Sequence, residues 1–321
     1  MAAFGTVFTP EMILSRFSNN GWSQPEIVAT DSISLHPGAH VLHYSSTCFE
    51  GLKAFRHDDG SIYTFRMDRN VARLQQSSQL LSLPEVDGAM LTQMILDILK
   101  RYAADVPNPP GSMYIRPTHI GTEASIGKAA APSLESLLYV LLSPVGDYFA
   151  GGTKPLRLLL EDNARCASHM GMVKSGGNYA SALQPIMRAR AAVKADQVLF
   201  CPNGDVQETG AANFLLIDGN EIITKALDSS FLHGVTRDSI LTLARDRGMV
   251  VSERELTVDE LIERAQKPGA EAALSGTAAV LTPVGTLIHD GKDVQVGNGE
   301  GGPTTAALRQ ALNDIQWGKA A

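Results

Sequence analysis

Between Asp87 and Ala103 the apolar residues Leu91, Met94, Ile95, Ile98, Leu99 and Tyr102 recur at helical spacing. They fall on one face, which predicts an amphipathic helix. Pro107, Pro109, Pro110 and Gly111 close it. A weaker helical pattern runs from Asp68 to Leu81, with Val71, Leu74 and Leu81 apolar. A third helix is expected from about Tyr179 to Val193, with Leu183, Ile186 and Met187 facing inward. Thr236 to Arg247 reads as a helix stopped by Gly248, with Thr236 as its cap. Thr257-Val258-Asp259-Glu260 is a capping box opening a helix through Ala265. Pro303 starts a last helix with Leu308, Leu312 and Ile315 on one side.

Alternating and β-branched runs predict strands. The segment His40 to Tyr44 is expected to be one. Asp58-Asp59-Gly60 is a hairpin turn leading into Ser61 to Phe65. Met113 to Arg116, Leu137 to Leu142 and Leu156 to Leu160 are further strands. Val198 to Phe200 and Val206 to Glu208 flank a hairpin signal at Asn203-Gly204, and Asn213 to Ile217 pairs with Glu221 to Thr224 across Asp218-Gly219-Asn220. Residues 1 to about 40 carry the breakers Pro10, Pro25 and Pro37 and are expected to form an irregular arm with short strands. Helices and hairpins alternate irregularly, so the fold class is mixed α/β (α+β) and not a doubly wound sheet. The stretch Ser143 to Gly152, rich in Pro and Gly, is the expected boundary between two domains.

Composition narrows the function. A chain of 321 residues, 44% hydrophobic and 19% charged, is long enough for two packed domains. Its net charge of −7 leaves no basic surplus for a nucleic-acid partner. No apolar run approaches the roughly 20 residues of a membrane span. Met1 to Phe17 lacks the basic and apolar regions of a secretory signal. The three cysteines, Cys48, Cys166 and Cys201, form neither a disulfide framework nor a metal motif, so a reducing cytoplasm is the expected location. The eight histidines show no metal-ligand spacing, and no metal site is expected.

The chemistry-bearing stretches are individually modest. Met172-Val173-Lys174-Ser175-Gly176-Gly177-Asn178-Tyr179 places a lysine beside two glycines at a helix start, where a planar ligand could approach the backbone. By itself it also fits an ordinary surface lysine before a glycine-rich turn. Gly234-Val235-Thr236-Arg237 and Ser275-Gly276-Thr277-Ala278 are turns that suit a phosphate, or plain capping. Glu208 suits a pyridine nitrogen, or an exposed strand end. Arg116, in an otherwise apolar strand, needs a carboxylate from a substrate or from the protein. Arg73 alone passes for a solvated helix residue.

In order, Leu42-His43-Tyr44, Phe49-Glu50-Gly51-Leu52-Lys53-Ala54-Phe55-Arg56, Tyr114-Ile115-Arg116-Pro117, Leu142 to Gly146, Lys174 to Tyr179, Glu208 to Phe214, Gly234 to Arg237 and Ser275 to Ala279 resemble one family. The chain looks like a branched-chain amino acid aminotransferase of fold type IV, from about residue 40 to the C-terminus. The resemblance implies two domains with pyridoxal 5'-phosphate at their interface. They would be a smaller domain over 1–142, an interdomain loop at 143–153, and a larger domain over 154–321 carrying Lys174. It implies that Lys174 forms the Schiff base, Glu208 meets the pyridine nitrogen and Tyr179 lies near the phenolic oxygen. Arg73, Val235, Thr236 and Thr277 match the phosphate ligands. Tyr44, Phe49, Tyr114, Arg116, Tyr148, Thr277 and Ala278 match the substrate pocket. Lys53 and Arg56 are candidates for the second carboxylate of glutamate.

The implied reaction exchanges the amino group of leucine, isoleucine or valine with 2-oxoglutarate. A homodimer or larger homo-oligomer is also implied. A D-amino acid transaminase, an (R)-amine transaminase and an aminodeoxychorismate lyase are the nearby alternatives; a cofactor-free binding protein on the same scaffold is a more distant one. Two departures stand out. His233 replaces a proline common before Gly-Val-Thr. Ala279 and Thr282 occupy the positions of the Cys-x-x-Cys pair of mammalian forms, so their thiol switch is expected to be absent.

Overall fold

The computed structural model describes residues 4–19, 21–148 and 152–320. Part of the expected loop at 143–153, residues 149–151, lies outside them. The chain forms two compact units. The first runs to Tyr148 and adds Val173–Gly177 and Gln316–Lys319; the second holds the rest. The segment with Lys174 therefore packs with the first unit, although most of its sequence neighbours belong to the second.

The first unit contains β1 (Glu11–Ser18), β2 (Gly21–Trp22), β3 (Glu26–Ala29), α1 (His40–Tyr44), β4 (Thr47–Phe49), β5 (Leu52–Arg56), β6 (Ile62–Thr64), α2 (Met67–Leu80), α3 (Gly88–Arg101), β7 (Ser112–Gly121) and β8 (Ser136–Val145). Its eight-stranded sheet has the order β2-β1-β8-β7-β5-β6, with β3 on β1 and β4 on β7. Side chains alternate across a strand. On β7, Met113 and Ile115 turn to the core under α2 and α3, where Leu91, Met94, Ile95 and Ile98 are fully buried. Tyr114 and Arg116 take the opposite face. Lys53 and Ser143 stand across from Tyr114 on the neighbouring strands. The apolar stripe expected of α3 is thus its core face, and Asp87 caps it by accepting from the Ala89 N–H at 2.8 Å.

Two expectations here need correction. His40–Tyr44 is a five-residue helix, not a strand. Its one buried side chain is polar: His40 bonds Ser46 and the carbonyls of Lys128 and Ala131. Five residues, with Val41 and Leu42 side by side between two histidines, are too few to report a period. The N-terminal arm is also less irregular than its prolines suggested. β1 is an interior strand paired with β8, and Met12, Ile13 and Leu14 are buried.

The second unit contains β9 (Leu156–Glu161), α4 (Gly176–Val193, after its first two glycines), β10 (Gln197–Phe200), β11 (Asn213–Asp218), β12 (Glu221–Thr224), α5 (Val235–Asp246), β13 (Val250–Glu253), α6 (Val258–Ala265), β14 (Glu271–Gly276), β15 (Val280–His289), β16 (Lys292–Gln295) and α7 (Pro303–Gln316, before its last residue). Its mixed sheet runs β10-β9-β15-β14-β11-β12-β13, with β16 on β15. Phe214, Leu216, Ile223, Leu261 and Leu287 fill the core between sheet and α6. Thr257 caps α6 by accepting from the Glu260 N–H, as its capping box predicts.

Of the three α4 residues expected to face inward, only Ile186 packs against the core. Leu183 and Met187 are 60% and 48% exposed, whereas Ala182 and Ala189 are buried with Ile186 beside them. Small residues let the helix lie close to the backbone: a Cβ on Gly210 would come 2.8 Å from Ile186 Cδ1. Val206–Glu208 is not a strand, but Gln207 and Glu208 still exchange backbone hydrogen bonds with Phe200. Gly234, not Thr236, occupies the N-cap of α5, with Val235 and Thr236 in its first turn.

Candidate active site

In the first unit the site grows from the backbone of Lys174. Its N–H donates to Ser77 Oγ at 3.1 Å, and its carbonyl accepts from the Phe49 N–H at 3.0 Å. A bridge between Cys48 and Ser175 extends this pairing along β4. The Lys174 ammonium lies 5.1 Å from the centre of the Phe49 ring, and the Arg116 guanidinium lies 4.5 Å from the same ring. These are cation–π distances. Arg116 also donates to the Tyr114 hydroxyl at 2.9 Å, while its buried Nε has no partner among the described residues. Gly51 is required here, because a Cβ would fall 2.1 Å from the Tyr114 hydroxyl.

The expected phosphate ligand Arg73 is buried, not solvated, and it forks onto Glu50. Nε donates to Oε1 at 2.6 Å and the terminal nitrogen to Oε2 at 2.9 Å. Asn70 and the Gly51 N–H donate to the same carboxylate. Burial alone would raise the Glu50 pKa; Arg73, Lys174 and Asn70 outweigh it and hold the carboxyl below its usual range.

Lys53 shares a face with Tyr114 and Arg116, and burial pulls its pKa down to about 8 against the opposing effect of Asp147. Arg56, the other candidate for a second carboxylate, is committed to the carbonyls of Ala103 and Val106 behind α3. Tyr148 is 54% exposed, with Phe4 between it and Tyr114. The hydroxyl and ring of Tyr44 engage Ile126 and His40 rather than Phe49, Tyr114 or Arg116.

In the second unit Glu208 is 2% exposed, and the alternative of an exposed strand end is set aside. Its carboxylate meets Arg165 at 2.6 Å, the Leu232 N–H at 3.1 Å and Asn213 Nδ2 at 3.3 Å. Asn213 also donates to the Leu232 carbonyl at 2.8 Å, tying Glu208 to the segment that enters α5. A Cβ on Gly234 would fall 2.1 Å from Asn213 Oδ1, so only glycine brings this segment in so close. Val235 and Thr236 then stand where a helix leaves N–H groups for an anion. α5 packs on β14, which ends in the turn bearing Thr277 and Ala278. Ser275 in β14 is 2% exposed and faces Asn213 across the sheet, and its Oγ has no partner among the described residues. Tyr179 lies half-buried in the first turns of α4.

Glu50, Asn70, Ser77, Arg165 and Asn213 were not singled out from the sequence. Glu50 and Asn213 lie inside the motifs quoted for the resemblance. Asn70, Arg73, Ser77 and Ser78 form a buried polar stripe on α2, which a search for apolar periodicity passes over. Cys48 and Cys201 are buried thiols, and burial pushes Cys48 up to about 12. Among the described residues there is no cluster of three or more metal-ligating side chains, and no helix is long and apolar enough to cross a membrane.

A family model, amino-transferase class IV, matches residues 47–287. The chain belongs to this family. A probable branched-chain-amino-acid aminotransferase of Streptomyces coelicolor is 41% identical, over 99% of this chain and 90% of that protein. Among solved structures, a branched-chain amino acid aminotransferase from T.th. with pyridoxamine 5'-phosphate is 27% identical with a TM-score of 0.81; the match covers 98% of this chain and 96% of that one. The branched-chain amino acid aminotransferase of Escherichia coli is 26% identical with a TM-score of 0.79, over 97% of this chain and 96% of that one. The family match spans every element that carries a candidate residue from Phe49 to Ala278 in this class IV aminotransferase. Tyr44 alone falls before it.

Proposed function

We propose that this class IV aminotransferase is a branched-chain amino acid transaminase dependent on pyridoxal 5'-phosphate. It interconverts L-leucine, L-isoleucine or L-valine plus 2-oxoglutarate with the branched 2-oxo acids plus L-glutamate. The observation that carries the reading is the Phe49–Lys174–Arg116 group: an amine and a carboxylate-seeking guanidinium on one aromatic ring. The near full-length likeness to branched-chain enzymes supports the substrate class.

The residues suit such a cofactor. A helix N-terminus at Val235 and Thr236, brought in by Gly234, suits its phosphate. The buried Ser275 hydroxyl and the Glu208 carboxylate are polar groups of the kind a bound heterocycle engages. When bound, the cofactor supplies an electron sink for the pair left when the α-proton departs. Lys174 anchors it through Nζ, and that amine, once released in its neutral form, takes and returns the α-proton. Glu208 holds the pyridine nitrogen, with Tyr179 near the phenolic oxygen. Arg73, Val235, Thr236 and Thr277 hold the phosphate. Arg116 takes a substrate carboxylate. Phe49, Tyr114, Tyr44, Tyr148, Thr277 and Ala278 bound the side-chain pocket. The working form is a cytoplasmic homodimer or larger homo-oligomer.

An aromatic-lined pocket separates substrates that differ by a methylene only weakly, at roughly 0.8 kcal/mol each. Leucine, isoleucine and valine should therefore react within about a hundredfold of one another. A kinetic panel pairing 2-oxoglutarate with these three, D-alanine and (R)-1-phenylethylamine tests the reading. Turnover of the three L-amino acids supports it. Turnover of D-alanine or the amine in their place assigns a different reaction within the fold type.

A further inference from the structure

We infer that Ser77 is a positioning residue for Lys174, setting the backbone from which its amine reaches the cofactor aldehyde. The inference rests on the cofactor reading above. Asn70, Arg73 and Ser77 recur at helical spacing along the buried side of α2. The first two hold Glu50, and Ser77 holds Lys174 itself. Ser77 is fully buried, and its Oγ accepts the Lys174 N–H at 3.1 Å. The Lys174 carbonyl is held by Phe49 on the other side, so both backbone groups of the lysine are fixed. One rigid helix thereby sets the place of the lysine relative to Arg73.

The neighbouring Ser78 serves a different end. Its Oγ bonds His119 Nδ1 at 2.9 Å and Cys48 Sγ at 3.4 Å, and His119 continues to Ser136. That chain of side-chain bonds joins α2 to β4, β7 and β8. Two adjacent buried serines thus separate positioning of the lysine from general packing.

The step that Ser77 serves is condensation. The neutral Lys174 amine adds to the aldehyde carbon, a C=N bond forms, and the carbonyl oxygen leaves as water with both amine hydrogens. Pyridoxal 5'-phosphate can take this step, whereas pyridoxamine 5'-phosphate has an amine in place of the aldehyde and cannot. The test is therefore the affinity of the apoprotein for each, measured by equilibrium dialysis on wild type, Ser77→Ala, Ser77→Cys and Ser78→Ala, with thermal unfolding alongside. Ser77→Ala is expected to weaken pyridoxal phosphate binding about tenfold, the worth of one net hydrogen bond, and to change pyridoxamine phosphate binding by less than about twofold. Ser77→Cys, which keeps the size with a weaker acceptor, moves the same ratio less and carries the test if the alanine variant does not fold. Ser78→Ala lowers the unfolding temperature and leaves the ratio at the wild-type value. An unchanged ratio in Ser77→Ala and Ser77→Cys, or an equal change in Ser78→Ala, overturns the inference. Wild-type apoprotein that binds neither compound overturns the cofactor reading instead.

Discussion

Arg165 and Glu208 form a buried ion pair, 2.6 Å between the guanidinium and Oε1, with side chains only 4% and 3% exposed. The pair fixes the carboxylate proposed to meet the cofactor nitrogen. Arg165 also donates to the Gly171 carbonyl at 3.2 Å, so the same guanidinium holds that backbone within the second unit. Replacing Arg165 with methionine leaves a buried carboxylate without its cation, which costs about 3–5 kcal/mol. Urea denaturation of the apoprotein should show that loss, and the double variant Arg165→Met/Glu208→Gln should recover most of it. A loss under about 1 kcal/mol for the single variant, the scale of an exposed pair, would contradict the structural role.

Arg116 carries an unpartnered buried Nε, among the described residues, beside its bond to Tyr114. A substrate carboxylate would complete the guanidinium, and a charged hydrogen bond is worth about 1.5–3 kcal/mol. Arg116→Ala should therefore raise KM for both the amino acid and the 2-oxo acid, by roughly tenfold to a hundredfold. An unchanged KM for both removes Arg116 from the carboxylate site.

Much of this was legible from the chain because it rests on local chemistry. The α3 stripe, the Asp218-Gly219-Asn220 hairpin and the Thr257 cap each depend on residues within a few positions. Lys174, Glu208 and Arg116 were picked out by their place in short motifs. Their partners were not, since Ser77 lies 97 residues from Lys174 and Arg165 lies 43 residues before Glu208 in the chain. Such pairs exist only once strands and helices have met. α4 failed for a related reason: its close packing uses alanines, which a hydrophobic pattern weights less than Leu183 and Met187.

Lys53 predicts a pH dependence. Its folded pKa is about 8 against an ordinary value of 10.5, so the fold disfavours its charged form. Between those values the unfolded chain binds more protons. The penalty is therefore full below pH ~8 and is relieved as pH rises toward ~10.5. It amounts to roughly 3 kcal/mol at 1.36 kcal/mol per unit. Lys53→Met should remove it, raising stability at pH 7 and flattening the alkaline rise relative to wild type. Parallel stability curves for the two proteins between pH 7 and 10 would contradict this.

Everything proposed for the reaction depends on Lys174 being the covalent anchor of the cofactor. Sodium borohydride reduction of the holoprotein, followed by proteolysis and mass spectrometry of the peptides, reads that bond itself. One phosphopyridoxyl group is expected, carried by the peptide containing Lys174 and absent in Lys174→Ala. The group on any other lysine, or on no peptide of the yellow wild-type protein, would refute the assignment.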